Sequence, residues 1–213
     1  MQWILSPQAI FATSPVVPVM VIKNVEDAVP MAQALYDGGI RVFEITMRTE
    51  SALTAIRHIS EAMPQALVGA GTVINCEQYD AVVAAGAKFA ISPGATDKLL
   101  QHAVCGPIAL IPGTATPSEM MRALESGYDH LKFFPAEING GAAALKAISA
   151  PLPQLKFCPT GGISEKNVAE YLKLDCVATV GGSWMLPNDA VSARDWQKIT
   201  ELSKQAVALT ATK

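Results

Sequence analysis

The chain has 213 residues, enough for one domain or two small ones and for burying about 70% of the surface the unfolded form exposes. Half of its residues are hydrophobic and only 16% are charged, which excludes a disordered chain. Sixteen basic against nineteen acidic residues leave a net charge of −3, which speaks against a broadly basic nucleic-acid-binding surface but leaves room for a local anion pocket.

Pro, Gly or charged residues interrupt every long apolar stretch before the ~18–20 residues a spanning helix needs, so no membrane partner is expected. Met1 to Ile22 carries no Lys or Arg and is broken by Pro7, Pro15 and Pro18. A secretory leader has a basic start and an unbroken apolar core, so a cytoplasmic protein is expected. Cys76, Cys105, Cys158 and Cys176 form no CxxC pair, and His58, His102 and His130 form no HxH or HExxH pattern. No metal site or cofactor is expected on this spacing.

Along the chain, Pro7–Thr13 reads as an extra N-terminal helix. Eight short, mostly apolar runs then alternate with helical patterns: Val16–Ile22, Ile40–Thr46, Ala66–Thr72, Lys88–Ser92, Ile108–Pro112, His130–Phe134, Leu155–Pro159 and Cys176–Gly181. Such runs suit parallel strands buried on both faces. Between them, Asn24 can cap a helix through Ala28, Met31 and Leu35 that closes at Gly38-Gly39. Leu53, Ile56 and Ile59 mark the next helix. Asn75 with Gln78 is a capping pair, and Thr96–Ala103 is a weaker helical stretch. Thr116-Pro117-Ser118-Glu119 has the N-cap, the proline and the glutamate of a capping box. An Ala-rich helix follows Gly140-Gly141, one opens at Ser164, and a last one runs from Asn188 or Asp189 through Trp196, Ile199 and Leu202. With no linker or repeat, residues 1–213 read as one α/β domain, a (β/α)8 TIM barrel with an added N-terminal helix. An open doubly wound sheet is the rival, but the first run leads into Lys23-Asn24 without a glycine fingerprint.

Barrel chemistry sits at the C-terminal ends of strands. In the second run, period-two alternation puts Val42, Glu44 and Thr46 on one face and Phe43 and Ile45 on the other. The larger apolar pair suits a helix layer, which turns Glu44 inward, where a carboxylate needs a partner or a proton. Either Glu44 holds a structural ion pair or it does chemistry. In the sixth run, Lys132 stands between large apolar neighbours. It is either a rim lysine or a desolvated amine able to attack a ketone and form a Schiff base. Glycine-rich turns end three runs: Gly69-Ala70-Gly71-Thr72, Thr160-Gly161-Gly162-Ile163-Ser164 and Gly181-Gly182-Ser183-Trp184. Glycine lets backbone amides approach an anion, and consecutive turns after the seventh and eighth runs are the usual barrel phosphate grip.

Gly39-Ile40-Arg41-Val42-Phe43-Glu44-Ile45-Thr46-Met47-Arg48-Thr49, Val68-Gly69-Ala70-Gly71-Thr72, Phe89-Ala90-Ile91-Ser92-Pro93-Gly94, Leu131-Lys132-Phe133-Phe134-Pro135-Ala136-Glu137 and Cys158-Pro159-Thr160-Gly161-Gly162-Ile163 resemble, in order, motifs of the bacterial 2-keto-3-deoxy-6-phosphogluconate (KDPG) and 4-hydroxy-2-oxoglutarate aldolases. The resemblance covers essentially the whole chain and implies a metal-free class I aldolase, usually a homotrimer, acting on a small keto acid. It implies Lys132 as the Schiff-base lysine and Glu44 as the proton shuttle. Arg48 and Thr72 would bind the pyruvyl carboxylate, and Gly161, Gly162, Gly182 and Ser183 the phosphate. Thr160 would meet a substrate hydroxyl, with Pro93 and Phe134 as an apolar wall. The rival functions are an aldolase for the C4-epimeric phosphogalactonate, a phosphosugar isomerase or epimerase, and a non-catalytic barrel that binds a phosphorylated metabolite. Neither of the last two needs an imine-forming lysine.

Overall fold

The computed structural model describes residues 2–210. Among them nine strands form: β1 (Val16–Met20), β2 (Val42–Thr46), β3 (Leu67–Gly71), β4 (Phe89–Ile91), β5 (Ala109–Ile111), β6 (Gly113–Thr114), β7 (His130–Phe133), β8 (Lys156–Pro159) and β9 (Val180–Gly182). Every pairing between them is parallel, so all the C-terminal ends lie at one end of the molecule.

The expected closed (β/α)8 barrel does not form. The strands make a six-stranded sheet ordered β5-β4-β3-β2-β1-β9 and a separate three-stranded sheet ordered β6-β7-β8. The first seam falls at Pro112, which has no N–H to carry a ladder onward. The Ile111 carbonyl accepts from Ser92 N–H on one side (3.2 Å), and the Pro112 carbonyl accepts from Lys132 N–H on the other (2.9 Å). The expected strand Ile108–Pro112 therefore ends at Ile111 as β5, and a short strand outside the expected run, β6, follows at Gly113–Thr114 with different neighbours. At the second seam β8 and β9 meet only through isolated bridges, Phe157 to Val177 and Thr160 to Gly181. The run expected from Cys176 joins the ladder only at Val180. The fold is thus α/β with two open parallel sheets.

The helices are α1 (Pro7–Thr13), α2 (Ala28–Asp37), α3 (Ala52–Ala62), α4 (Cys76–Ala84), α5 (Asp97–Cys105), α6 (Pro117–Glu125), α7 (Gly141–Ser149), α8 (Val168–Leu172), α9 (Asn188–Ala193) and α10 (Trp196–Thr210). Capping chemistry starts several of them. Ser6 accepts from Ala9 N–H ahead of Pro7, and Asn75 and Thr96 cap α4 and α5 in the same way. Thr116 and Glu119 form the reciprocal box that opens α6. The helix expected at Ser164 begins later, at Val168. Asn167 accepts from Ser164 N–H (2.8 Å) and donates to the Gly162 carbonyl (3.0 Å), folding those residues into a loop. The expected last helix is two, parted by Arg194 in the left-handed region at φ 55°. No helix among the described residues is long and apolar enough to cross a membrane.

Strand alternation builds the layers. Phe43 and Ile45 of β2, and Leu131 and Phe133 of β7, join the large core shared with Leu35 of α2, Ile56 of α3 and Ile199 of α10. The opposite face of β2 carries Val42 into a smaller cluster with Val17, Phe89, Ile91, Ala109 and Ile111. Most of these lie at or near the starts of their strands. Helix α1 closes that end, burying Ile10 and Phe11 in the same cluster.

Candidate active site

Two residues past Val42 the same face of β2 presents Glu44, and on β7 it presents Lys132. Their side chains meet across the gap between the two sheets, with Lys132 Nζ donating to Glu44 Oε1 at 3.1 Å. Lys132 is only 5% exposed and Glu44 1%, so water does little to screen the pair. Removing one partner from such a pair leaves an uncompensated buried charge, a cost of about 3–5 kcal/mol. The second carboxylate oxygen, Oε2, is buried and accepts no hydrogen bond from the described residues. A proton or a substrate hydroxyl could engage it. Lys132 Nζ also lies 5.1 Å from the centre of the Phe134 ring, within cation–π range.

The glycines of β3 make room for this pair. A Cβ on Gly71 would overlap the Glu44 carboxylate, and one on Gly69 would overlap the Phe89 ring. Both lie inside the strand, so Gly69-Ala70-Gly71 is not an anion-gripping turn. Its glycines clear the interior face while Val68 and Ala70 pack outward. Beneath the pair, the Cys158 thiol of β8 is fully buried, and burial pushes its pKa up to about 12. Nearby Lys132 opposes that rise and Glu44 adds to it.

Because the strands are parallel, the residues that follow them collect at the end where the pair sits. Thr72 follows β3 and takes φ 59°. For a β-branched residue this backbone costs about 1–3 kcal/mol and is typical of functional positions. The flanking bonds from Met47 N–H to Gly71 O (2.8 Å) and from Val73 N–H to Ile91 O (3.1 Å) hold it there. Pro93 follows β4 and backs onto Gly113, where a side chain would strike the Pro93 carbonyl. Thr72 and Pro93 make no hydrogen bond to Lys132 or Glu44. Arg48, past β2, is exposed and joins none of the ion pairs among the described residues. It lines a cavity of about 170 Å³ with Ser183, Val19, Val21 and Asn188.

The two remaining turns do lie at this end. Thr160, buried at the end of β8, bridges to Gly181 of β9. Gly161 and Gly162 follow with φ 100° and 80°, and among the described residues their amides donate to no other atom. Gly182 ends β9, where a Cβ would strike the Trp184 ring, and Ser183 beyond it is exposed.

Sequence reasoning overlooked Cys158, although the alternation through Phe157-Cys158-Pro159-Thr160 puts Cys158 and Thr160 on one face. It also overlooked why Gly71 must be glycine, a matter of which residue lies across from it.

A buried amine on a strand, hydrogen-bonded to a carboxylate below the strand-end turns, suits the imine chemistry of a lyase that works through a lysine. The comparisons agree. The family model described as "KDPG and KHG aldolase" matches residues 8–202. The chain is 57% identical over 206 residues to the 2-dehydro-3-deoxy-phosphogluconate aldolase of Pseudoalteromonas atlantica, covering 97% of this chain and 96% of that one. It is 54% identical over 205 residues to the KHG/KDPG aldolase of Escherichia coli K12, covering 96% of each. A crystal structure of KDPG aldolase from Legionella pneumophila, holding pyruvate captured at low pH as a covalent carbinolamine intermediate, superposes with a TM-score of 0.94. The identity there is 54%, over 96% of this chain and 99% of that one. The chain belongs to the KDPG and KHG aldolase family and is a lyase of the aldolase type.

Proposed function

We propose that the chain cleaves 2-dehydro-3-deoxy-6-phosphogluconate to pyruvate and glyceraldehyde 3-phosphate, and 4-hydroxy-2-oxoglutarate to pyruvate and glyoxylate, through a Schiff base on Lys132. The buried contact between Lys132 Nζ and Glu44 Oε1 carries this reading. The pyruvate carbinolamine in the Legionella relative and the double name of the Escherichia coli relative support it.

Lys132 Nζ adds to the C2 ketone to give a carbinolamine, which loses water to become a protonated imine. Glu44 lies beside the amine and supplies and accepts the protons these steps need. The Glu44 carboxylate then takes the proton of the C4 hydroxyl, and the C4–O electrons form the aldehyde. The C3–C4 bond breaks and its electron pair flows through C3 into the imine, giving an enamine. The aldehyde leaves, Glu44 returns the proton to C3, and water hydrolyses the new imine to release pyruvate and free Lys132.

The exposed, unpaired Arg48 and the strained Thr72 bind the pyruvyl carboxylate. The Gly161 and Gly162 amides, with Gly182 and Ser183, bind the phosphate. Thr160 meets a substrate hydroxyl, and Pro93 and Phe134 form the apolar wall. The chain acts as a single cytoplasmic domain over residues 1–213, assembled as a homotrimer. Exposed apolar side chains such as Met121 and Ile138 can supply contacts, and sedimentation at three times the 22.5 kDa chain mass is the expected behaviour.

Pyruvate release from the phosphorylated substrate, followed by coupled NADH oxidation, tests the reaction. Wild-type chain should release pyruvate, and Lys132→Ala, checked for folding by circular dichroism, should not. Wild-type-like release by Lys132→Ala would overturn the mechanism.

A further inference from the structure

The loop after β7 leans on the Gly161–Gly162 turn. Ala136 N–H donates to the Thr160 carbonyl (2.8 Å) and Glu137 N–H to the Gly161 carbonyl (3.1 Å), carrying the β7–β8 pairing past both strand ends. The Glu137 side chain lies against Gly162, where an added Cβ would come within 2.6 Å of Glu137 Cγ. The Glu137 carboxylate accepts a hydrogen bond from the Tyr171 hydroxyl of α8, and the Tyr171 side chain is completely buried. On its other side the turn is held by Asn167, which donates to the Gly162 carbonyl (3.0 Å).

The Gly161–Gly162 turn is therefore gripped between the β7 loop and α8, and Glu137 is the piece that joins them. Its position poses an electrostatic problem, because a carboxylate sits next to a turn whose free amides suit an anion. The Tyr171 hydroxyl answers it by directing the carboxylate toward α8. Burial, and then the bond to Glu137, push the Tyr171 pKa up, so the hydroxyl keeps its proton and remains a donor at neutral pH.

We propose that Tyr171 and Glu137 form a positioning clamp that sets the Gly161–Gly162 turn for a phosphorylated substrate and keeps the Glu137 charge away from the phosphate. Neither residue touches the reacting atoms. The clamp rests on the reading of that turn as the phosphate grip, and it adds a specificity element, since a substrate without phosphate gains nothing from it.

Steady-state kinetics on the phosphorylated substrate and on 4-hydroxy-2-oxoglutarate, which has no phosphate, test it. In Tyr171→Phe, KM for the phosphorylated substrate should rise about tenfold, the scale of one hydrogen bond to a charged group. The kcat on it, and both constants for 4-hydroxy-2-oxoglutarate, should stay near wild type. Glu137→Ala should show the same split, and its exposed position keeps folding out of the question should Tyr171→Phe fail to fold. Glu137→Gln, whose amide oxygen still accepts from Tyr171, should restore most of the affinity. Equal losses on both substrates would mark a merely structural role, and no change in KM would mark none. Either overturns the clamp. If the wild-type enzyme itself does not favour the phosphorylated substrate, the phosphate-grip reading fails, and the clamp with it.

Discussion

The two ends of the strands are built from opposite materials on the facing interior sides of the two sheets. At the end closed by α1, Val17, Val42, Phe89, Ala109 and Ile111 pack with Ile10 and Phe11 into an apolar floor. Two residues further along β2 that face presents Glu44, and on β8 the floor residue Cys158 gives way to Thr160. The floor is stabilised by burying apolar area, roughly 25 cal/mol per Å². The upper layer spends stability on a buried ion pair, an unpartnered carboxylate oxygen and a strained Thr72. One period-two strand separates these roles by about 7 Å, two residues of rise. A substitution at one end should therefore damage chemistry, and one at the other end stability.

Glu44→Gln should break the chemical end most cleanly. Its amide oxygen still accepts from Lys132, but it cannot take a proton, so kcat per folded molecule should fall by about 10²–10⁴. Phe89→Ala should do the reverse. It empties a fully buried site and should cost about 3–5 kcal/mol in urea unfolding, with turnover per folded molecule unchanged. A kcat loss in Phe89→Ala as large as that in Glu44→Gln would erase the division.

Alkaline unfolding sharpens the comparison at its boundary. Burial raises the Cys158 thiol from its ordinary 9.0 to about 12, so the native state favours the protonated thiol. That contribution is fully present below about pH 9 and is lost as pH climbs toward 12. Tyr79, raised by burial from 10.0 to about 12, adds to the same limb. Urea midpoints should fall through this range, and less steeply in Cys158→Ala. A matching slope in that variant would mean that Cys158 is not the buried thiol described here.

The smallest effect should come from α6, away from both ends. Burial works to raise the Glu119 pKa, but hydrogen bonds from the Ala115 and Thr116 amides and the Thr116 hydroxyl outweigh it and hold the carboxyl below its ordinary value, with Arg122 adding to the effect. The depressed value means that the stabilisation is present at neutral pH and is lost as pH falls through the folded-state pKa. Glu119→Ala should cost about 0.5–2 kcal/mol, the scale of a lost cap, and should flatten the acid limb of the stability profile.

Much of this layout is legible in the amino-acid sequence. Alternation through Val42-Phe43-Glu44-Ile45 and through Leu131-Lys132-Phe133 fixed which residues face inward, and the Thr116–Glu119 spacing carried its own cap. The closed barrel was not there to be found. Pro112 closes the fifth run, and Cys176–Thr179 pairs with β8 only through the isolated Phe157–Val177 bridge, so the pairing opens at two seams. The proline was visible, but its consequence depends on which neighbour each side of it pairs with. Gly69 and Gly71 read as an anion turn because composition cannot say that Glu44 and Phe89 lie against them. The Tyr171–Glu137 contact joins residues 34 apart in sequence, beyond the reach of any local pattern.

The central claim is that Lys132 is a nucleophile rather than half of a structural ion pair. Borohydride reduction in the presence of pyruvate, followed by peptide mass mapping, tests it most directly. A reduced pyruvyl adduct is expected on the peptide containing Lys132, and none in Lys132→Ala. A folded enzyme that binds pyruvate yet yields no adduct at Lys132 would contradict it.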